Sequence, residues 1–212
     1  ENFASTLEEV IGDTEVEHVV LMAIGDQLPL IKGLIANLVV RHVKKMVPPF
    51  NLPGAVKFNE ALKIGGNVGY RRPQLKPDDL AILQYTGGTT GVAKGAELLH
   101  STLVAAMLIS KAWGEPLTSK IPEGQQMVAG CALPLYHVFA LVSVHLLGVA
   151  AGGRMIMIAN PRDLDAMAKS LKGEKFHAFP GVNTLFAAMA RRPGIRELDY
   201  SDLLMSNGGG AA

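Results

Sequence analysis

Short apolar runs alternate with segments of helical periodicity along most of this chain. The runs are apolar on both faces, which is typical of strands that lie under helices. The predicted strands are 79–85, 95–99, 127–133, 155–158 and 178–179, and the predicted helices are 102–113, 139–149, 163–171 and 183–190, the first capped by Ser101. This alternation predicts an α/β fold with mixed or parallel sheets covered by helices.

The chain before residue 78 has a less regular pattern. Residues 18–24 form an apolar run that predicts a buried strand, and residues 30–46 have the periodicity of an amphipathic helix that stops before Pro48 and Pro49. Glycines and prolines are frequent in 51–77, which predicts an irregular connection with one short helix near 58–62.

Small and hydroxylated residues follow the strand at 79–85 directly. They comprise Thr86, Gly87, Gly88, Thr89, Thr90 and Gly91, and the run ends on Lys94. Glycines let the backbone approach a ligand closely, so that several N–H groups can converge on phosphate oxygens. Hydroxyls add donors, and a lysine supplies a compact, mobile cation. The run therefore predicts a polyphosphate site, with a flexible surface turn as the alternative.

Two common nucleotide-binding motifs do not fit this chain. A Walker A loop needs a second glycine before the lysine and a Ser or Thr after it, whereas this chain has Ala93 and Gly95 around Lys94. The glycines at 208–210 have neither the spacing of a dinucleotide fingerprint nor the helix that should follow it. A different class of phosphate loop is indicated.

The run 86–95 resembles throughout the phosphate loop of the acyl-adenylate-forming enzymes, Thr/Ser-x-Gly-Thr-Thr-Gly-x-x-Lys-Gly. Four further segments are similar, in order and spacing, to the bacterial long-chain fatty-acid CoA ligases: 132–141, 160–163, 181–186 and 208–210. The resemblance extends over essentially the whole chain. It implies the central portion of one large N-terminal AMP-binding domain, incomplete at both ends and without the small C-terminal lid domain.

This resemblance implies a two-step reaction. ATP and a long-chain fatty acid would give acyl-AMP and pyrophosphate, and CoA would then displace AMP. The loop residues and Lys94 would bind ATP, with Lys94 and Thr89 acting in catalysis beside Mg²⁺. The family's downstream magnesium-binding Glu, ribose-binding Asp and C-terminal catalytic Lys have no counterpart before Ala212, so we expect the 212-residue chain alone to be inactive.

His137 follows a predicted strand, where open α/β sheets place ligands. A lone histidine is also often structural. The resemblance implies that His137 lines the reaction cavity beside the acyl-adenylate and the thiol entrance. Leu141 stands where some long-chain members carry a Trp gate, which leaves the closure of the fatty-acid tunnel open.

Two glycine-containing segments complete the implied site. The resemblance assigns Gly181, Val182 and Leu185 to the wall of the acyl tunnel, and the alternative is a glycine-led helix cap with Leu185 in the core. It assigns Gly208, Gly209 and Gly210 to a strand end that lies against adenine and the acyl carbonyl, and the alternative is a frayed segment.

Composition limits the partners and the compartment. The formal net charge is +1, which predicts no nucleic-acid binding. The short basic run at 42–45 is interpreted as a solvated helix end, with contact to an acidic membrane as the alternative. Cys131 is the only cysteine, which excludes an intrachain disulfide and favours the cytoplasm. The apolar run 138–151 is too short to span a bilayer, although a fatty substrate favours peripheral membrane contact. The histidines lack paired ligand spacing, so no metal site is predicted.

Two other functions remain open. One is a related enzyme that adenylates an aryl, amino or shorter acyl acid. The other is a non-catalytic nucleotide-binding module that has kept the loop.

Overall fold

The computed structural model describes residues 1–86 and 93–209, and the chain divides into two compact units, Glu1–Gln74 and Leu75–Ala212. The predicted residues Gly87, Gly88, Thr89, Thr90, Gly91 and Gly210 lie outside the described residues. Among the described residues, no helix combines the length and the apolar character needed to cross a bilayer.

The first unit consists of three helices and one short strand pair. Its elements are α1 (Ala4–Val10), β1 (Val20–Leu21), α2 (Leu30–Leu38), β2 (Val56–Lys57) and α3 (Phe58–Gly66). The strands β1 and β2 pair in parallel, with Val20 opposite Val56. The prediction of a buried strand over 18–24 is wrong, because only two of its residues pair and Val20, Met22 and Ile24 are about half exposed.

Helix α2 begins where the periodicity predicts. After Leu38 it widens into a π-helical turn over Val39–Val43 and ends there, before the two prolines. Lys45 then takes a φ of 50°, a left-handed conformation that reverses the chain direction at the end of the helix.

The second unit has the predicted alternation of strands and helices. Its elements are β3 (Leu80–Thr86), β4 (Lys94–Leu99), α4 (His100–Thr118), β5 (Val128–Cys131), α5 (Val138–Ala140), α6 (Leu147–Ala150), β6 (Arg154–Met157), α7 (Leu164–Leu171), α8 (Asn183–Arg191) and α9 (Pro193–Arg196). The segment Leu141–Leu146 joins α5 to α6 as a π-helix, so the predicted helix 139–149 is one continuous helix with a wide middle.

Strands β3 and β4 form an antiparallel pair that runs from Leu80 opposite Leu99 to Thr86 opposite Lys94. The prediction that the first of these strands is buried is wrong, because Leu80, Leu83 and Tyr85 are half exposed or more. The predicted cap of the next helix is also wrong. Helix α4 already begins at His100, so Ser101 lies inside it, and the N-cap residue is Leu99, whose side chain caps nothing.

A parallel sheet organises the rest of the unit. Val128 of β5 lies opposite Arg154 of β6, and Cys131 lies opposite Met157. Parallel bridges from Ala129 to Ala178 and from Ala178 to Met205 extend the sheet by two further segments. The spatial order is therefore β6, β5, the segment at Ala178 and the segment at Met205, which is 2-1-3-4 in chain order.

Helices cover both faces of this sheet, as predicted. On one face, Val128 and Ile156 pack in a core with residues of α7, α8 and α9, including the fully buried Met167, Leu171 and Ile195. On the other face, Ala129 and Cys131 pack against Val144 of the π-helix. The helix-covered α/β arrangement follows from strands that are apolar on both sides.

Gly130 allows an aromatic ring to pack closely on the centre of the sheet. A Cβ atom at Gly130 would lie 2.7 Å from Cε2 of Phe179, which is closer than a real side chain permits. The absence of a side chain at 130 therefore allows the Phe179 ring to lie directly on β5.

Candidate functional site at the carboxyl edge of the parallel sheet

Segments from four parts of the chain lie at one edge of the parallel sheet. They are 132–137 after β5, 158–162 after β6, 180–182 after the bridge at Ala178, and 206–209 after the bridge at Met205. The carboxyl ends of parallel strands share one edge, and ligands in open α/β sheets bind there. The chain leaves β5 toward β6 on one side and later returns to Ala178 on the other. The crevice between 132–137 and 180–182 is therefore at the topological switch point.

A largely apolar cleft of about 490 Å³ opens at this switch point. Its walls come from the segment after β5, the segment after β6 and the first turns of α8. The lining residues are Ala132, Leu133, Pro134, Pro161, Arg162, Leu164, Val182, Thr184, Leu185 and Ala188. The structure thus brings the predicted residues Val182 and Leu185 to one cavity.

Leu185 combines two structural positions. It lines the cleft, and it also belongs to the buried core under α7 and α9. The other alternative, a helix start, is also present, because α8 begins at Asn183 with Val182 as its N-cap residue. Packing and a place on the cavity wall are therefore compatible for this residue.

The two predicted glycine segments pair with each other. Gly181 and Gly208 form a parallel bridge, in which the N–H of Gly181 donates to the carbonyl of Asn207 at 3.0 Å and the N–H of Gly209 donates to the carbonyl of Gly181 at 3.2 Å. Gly208 and Gly209 are thus held by backbone hydrogen bonds at the carboxyl edge.

His137 caps the helix that follows it. Its Nδ1 accepts from the backbone N–H of Phe139 at 3.2 Å, and the backbone N–H of His137 donates to the carbonyl of Pro134 at 3.0 Å. The Nδ1 atom of His137 therefore has a structural role, which is the alternative stated for this residue. The residue is exposed at the carboxyl edge, but it does not line the cleft.

Leu141 is the first residue of the π-helix and is half-buried. Its N–H donates to the carbonyl of His137 at 3.0 Å, so the two predicted residues are joined through one helical turn. Leu141 is likewise not part of the cleft wall.

The residues on either side of the predicted phosphate loop belong to the paired strands β3 and β4. Thr86 lies opposite Lys94, and the Thr86 hydroxyl donates to the carbonyl of Lys94 at 3.3 Å. The two ends of the loop are therefore fixed next to each other. Lys94 is exposed at the start of β4.

Sequence reasoning missed several residues of the cleft, notably Pro161, Arg162 and Ala188. The segment 160–163 had been recognised by resemblance, without a role. In the structure, the Asn160 side chain accepts from the N–H of Arg162 at 3.2 Å, and Asp163 caps α7 by accepting from the N–H of Ala166 at 2.9 Å. These bonds fix the turn that places the Arg162 cation at the edge of the cleft. An asparagine or aspartate that can accept from the backbone N–H two or three residues later, shortly before a helix, is the signal that identifies such a turn.

An ion pair connects two helices near this edge. Arg192 donates two hydrogen bonds to the carboxylate of Asp165, which lower the pKa of that carboxyl below its ordinary value.

The thiol of Cys131 is buried, and burial raises its pKa above the ordinary value. A buried thiol of raised pKa is a packing residue and not a nucleophile.

An open parallel sheet with helices on both faces and a cleft at its switch point defines an α/β domain of the kind that places ligand sites at its carboxyl edge. The sequence model of the AMP-binding enzyme family matches residues 3–212, and the chain belongs to that family.

Relatives similar to this chain include bacterial ligases. The long-chain-fatty-acid–CoA ligase of Haemophilus influenzae is 47% identical over 211 residues, which are 100% of this chain and 37% of that protein. The enzyme of the same name from Escherichia coli is 46% identical over 209 residues, or 99% of this chain and 36% of that protein. The chain thus spans a little more than a third of the length of these relatives.

A solved structure of similar fold is the N-terminal domain of FACL13 from Mycobacterium tuberculosis. It superposes with a TM-score of 0.63 at 21% identity, over 97% of this chain and 48% of that one. The predicted fold class, part of the N-terminal domain of an adenylate-forming enzyme, is confirmed.

Proposed function

We propose that this chain is the central portion of one AMP-binding domain in an enzyme that joins a long-chain fatty acid to CoA at the expense of ATP. The observation that carries the proposal is the 47% identity to a long-chain-fatty-acid–CoA ligase along the whole chain. The complete phosphate-loop sequence from Thr86 to Gly95 supports it independently.

The reaction proceeds in two balanced steps. The fatty-acid carboxylate attacks the α-phosphorus of ATP, and the bond to the bridging oxygen breaks to release pyrophosphate and leave acyl-AMP. The CoA thiolate then attacks the acyl carbon, and AMP leaves with the electron pair of the C–O bond. Adenylation is needed because a free carboxylate has a strongly basic leaving oxygen, whereas AMP is a stable anion.

The phosphate loop has the main role in the first step. Negative charge accumulates on the departing pyrophosphate, and donors held in place around that charge stabilise the transition state. We assign this role to Thr86, the residues 87–91 and Lys94, with Thr89 and Lys94 closest to the reaction. Mg²⁺, when bound with ATP, would supply further neutralisation of the phosphates. The paired strand ends at Thr86 and Lys94 support the assignment, since they limit how far the loop can spread.

The carboxyl edge has the second role. We assign the cleft walled by Val182 and Leu185 to the fatty-acid chain, because its lining is mostly apolar. Gly208, Gly209 and Gly210 offer backbone to adenine and the acyl carbonyl. We assign His137 to the side of the acyl-adenylate where the CoA thiol enters, and Leu141, one helical turn later, to the gate position of the fatty-acid tunnel.

The test separates the two half-reactions in the full-length protein. Lys94→Ala and Thr89→Ala are expected to slow acyl-AMP formation by on the order of a hundredfold, while fatty-acid binding changes little. Lys120→Ala, in a turn after α4, is the matched control for the loss of an exposed lysine. Equal adenylation rates in Lys94→Ala and in the control would remove the loop from the mechanism.

A substrate panel distinguishes the two alternatives left by the sequence. A related adenylating enzyme would prefer an aryl, amino or shorter acyl acid, and a non-catalytic module would bind ATP without pyrophosphate release. The 212-residue chain alone is expected to show no CoA ligation, and appreciable turnover by the pure chain would contradict its assignment as part of one domain.

We also propose a cytoplasmic protein that makes peripheral contact with a membrane. Long-chain fatty acids partition into bilayers, so an enzyme that collects them benefits from residence at the lipid surface.

A further inference from the structure

Helix α2 has its apolar residues on the outside. Five large aliphatic side chains, Leu30, Ile31, Leu34, Ile35 and Leu38, are between 57% and 79% exposed. At 100° per residue they fall within one continuous stripe of about 140°. A stripe of this width is the face that a helix of a soluble domain normally buries.

The opposite side of α2 contacts the protein through small residues. A Cβ atom at Gly25 would lie 2.9 Å from the carbonyl carbon of Gly33, so loop and helix meet backbone to backbone. Asn37 strengthens this contact by accepting from the N–H of Gly25 at 2.8 Å. The helix is therefore anchored by Gly33 and Asn37, and its aliphatic stripe is presented outward.

The segment that contains α2 carries basic residues and no acidic ones. From Gln27 to Asn59 the sequence has no aspartate or glutamate, and it carries Lys32, Arg41, Lys44, Lys45 and Lys57. Arg41 is neutralised by Glu1, to which its Nε donates at 2.8 Å. Lys32, Lys44 and Lys45 are exposed, and no ion pair to them occurs within 1–86 and 93–209. The alternative interpretation of the basic run at 42–45, contact with an acidic membrane, gains support because the run follows an exposed apolar stripe.

We propose that α2 and the lysines after it form a docking surface for a bilayer rich in anionic phospholipid. An aliphatic stripe inserts at the boundary of headgroups and acyl chains, and lysines at its margin pair with lipid phosphates. An acid-free segment fits a negatively charged surface, whereas a neutral or basic partner would leave the lysines unmatched. This inference deepens the membrane contact proposed above by naming the segment that makes it.

The test is vesicle sedimentation of the full-length protein without ATP or CoA, so that its outcome is independent of the ligase assignment. Phosphatidylglycerol–phosphatidylcholine vesicles are expected to bind the protein, and pure phosphatidylcholine vesicles to bind it at least tenfold more weakly. Binding to the anionic vesicles should weaken as salt is raised.

Three variants test which residues contact the vesicle surface. Leu34→Glu places a charge in the stripe, and the double variant Lys44→Glu with Lys45→Glu reverses its margin; each is expected to weaken binding by about tenfold or more. Ile64→Glu is the matched control, because Ile64 is exposed to a similar extent, 54% against 64% for Leu34, on the neighbouring helix α3. It should bind as the wild type does.

Each result decides the proposal. Binding that is unchanged in Leu34→Glu, or lost equally in Ile64→Glu, would overturn it. A large fall in the melting temperature of Leu34→Glu would also overturn it, because the stripe would then be packed against the rest of the full-length protein. Weakened vesicle binding with an unchanged melting temperature and unchanged acyl-AMP formation from dissolved fatty acid would establish it.

Discussion

The Nδ1 of His177 accepts a hydrogen bond from the backbone N–H of Val128 at 2.9 Å, although 49 residues separate the two in sequence. His177 is 4% exposed, and its backbone N–H donates to the carbonyl of Val128 at 2.8 Å. Val128 begins β5, and His177 precedes the segment that borders the other side of the switch point. The pair therefore sets the register between the two strands whose far ends form the cleft.

His177→Ala is expected to lower the free energy of unfolding by about 2 kcal/mol, because it leaves a buried N–H without an acceptor. His177→Asn puts an amide oxygen near the position of Nδ1 and should recover part of the loss. His177→Gln puts its amide near the position of Nε2 and should not. Urea denaturation of the three variants measures the difference, and equal losses in Asn and Gln would show that the hydrogen bond is not the cause.

Gly130→Ala tests the close approach of Phe179 to β5. The added methyl group overlaps the ring, so we expect a loss of about 1–3 kcal/mol. Phe179→Leu in the same chain should reduce the penalty, which a double-mutant cycle measures. Gly148→Ala in α6 is the control, since its Cβ would meet Met155 at an ordinary 3.5 Å. A loss as large in the control as in Gly130→Ala would contradict the explanation.

Filling the cleft should change the choice of fatty acid. Ala188 of α8 lines the cleft, whereas the neighbouring Ala187 is exposed and does not. We expect Ala188→Phe to lower kcat/KM for long-chain acids by about tenfold relative to shorter acids, and Ala187→Phe to leave the ratio unchanged. Rates with a series of chain lengths in the full-length protein provide the measurement. An unchanged ratio in Ala188→Phe would place the acyl chain elsewhere.

The pair of Asp165 and Arg192 should make stability depend on pH in acid. The pKa of Asp165 is lowered in the folded state, first by its hydrogen bonds from Arg192, so the folded protein binds fewer protons than the unfolded chain. The contribution is fully present above the unfolded pKa of about 3.9 and disappears as the pH falls through the lower folded value.

Asp165→Asn should therefore reduce the melting temperature slightly at neutral pH and not at all in strong acid. Arg192→Gln should have the same pH profile, and the double variant should add little to either. A stability difference that persists unchanged in acid would mean that the side chains act through packing and not through charge.

Sequence patterns predicted the elements that pair with near neighbours or are buried on one side. Strand β4 and helices α7 and α8 appear within one or two residues of their predicted bounds, because Asp163 supplies a side-chain cap and the aliphatic spacing of α7 and α8 matches a buried face. The cap at Ser101 was wrong because Asp79 lies beside the end of β4. The carbonyl of Asp79 accepts from the N–H of His100 at 3.1 Å and helps to fix the start of α4 there.

Apolar composition alone could not distinguish buried from exposed residues. The runs around Val20 and Leu83 are as aliphatic as that of β5, yet only β5 is covered on both faces. Sequence also gave no sign of the π-helix at Leu141–Leu146, whose wider turn depends on packing around it. Sequence patterns identify His137, Val182 and Gly208 one by one, but their position at one edge depends on the 2-1-3-4 order, which results from long-range pairing of Ala178 with Ala129 and Met205.

The backbone ladder of the parallel sheet ends before the residues that line the cleft. Substitutions in each bordering segment can therefore accumulate one at a time, without disturbing the hydrogen bonds that define the domain. Related proteins that keep this scaffold are free to diverge in the shape of the cleft, since a new lining requires changes only beyond the strand ends.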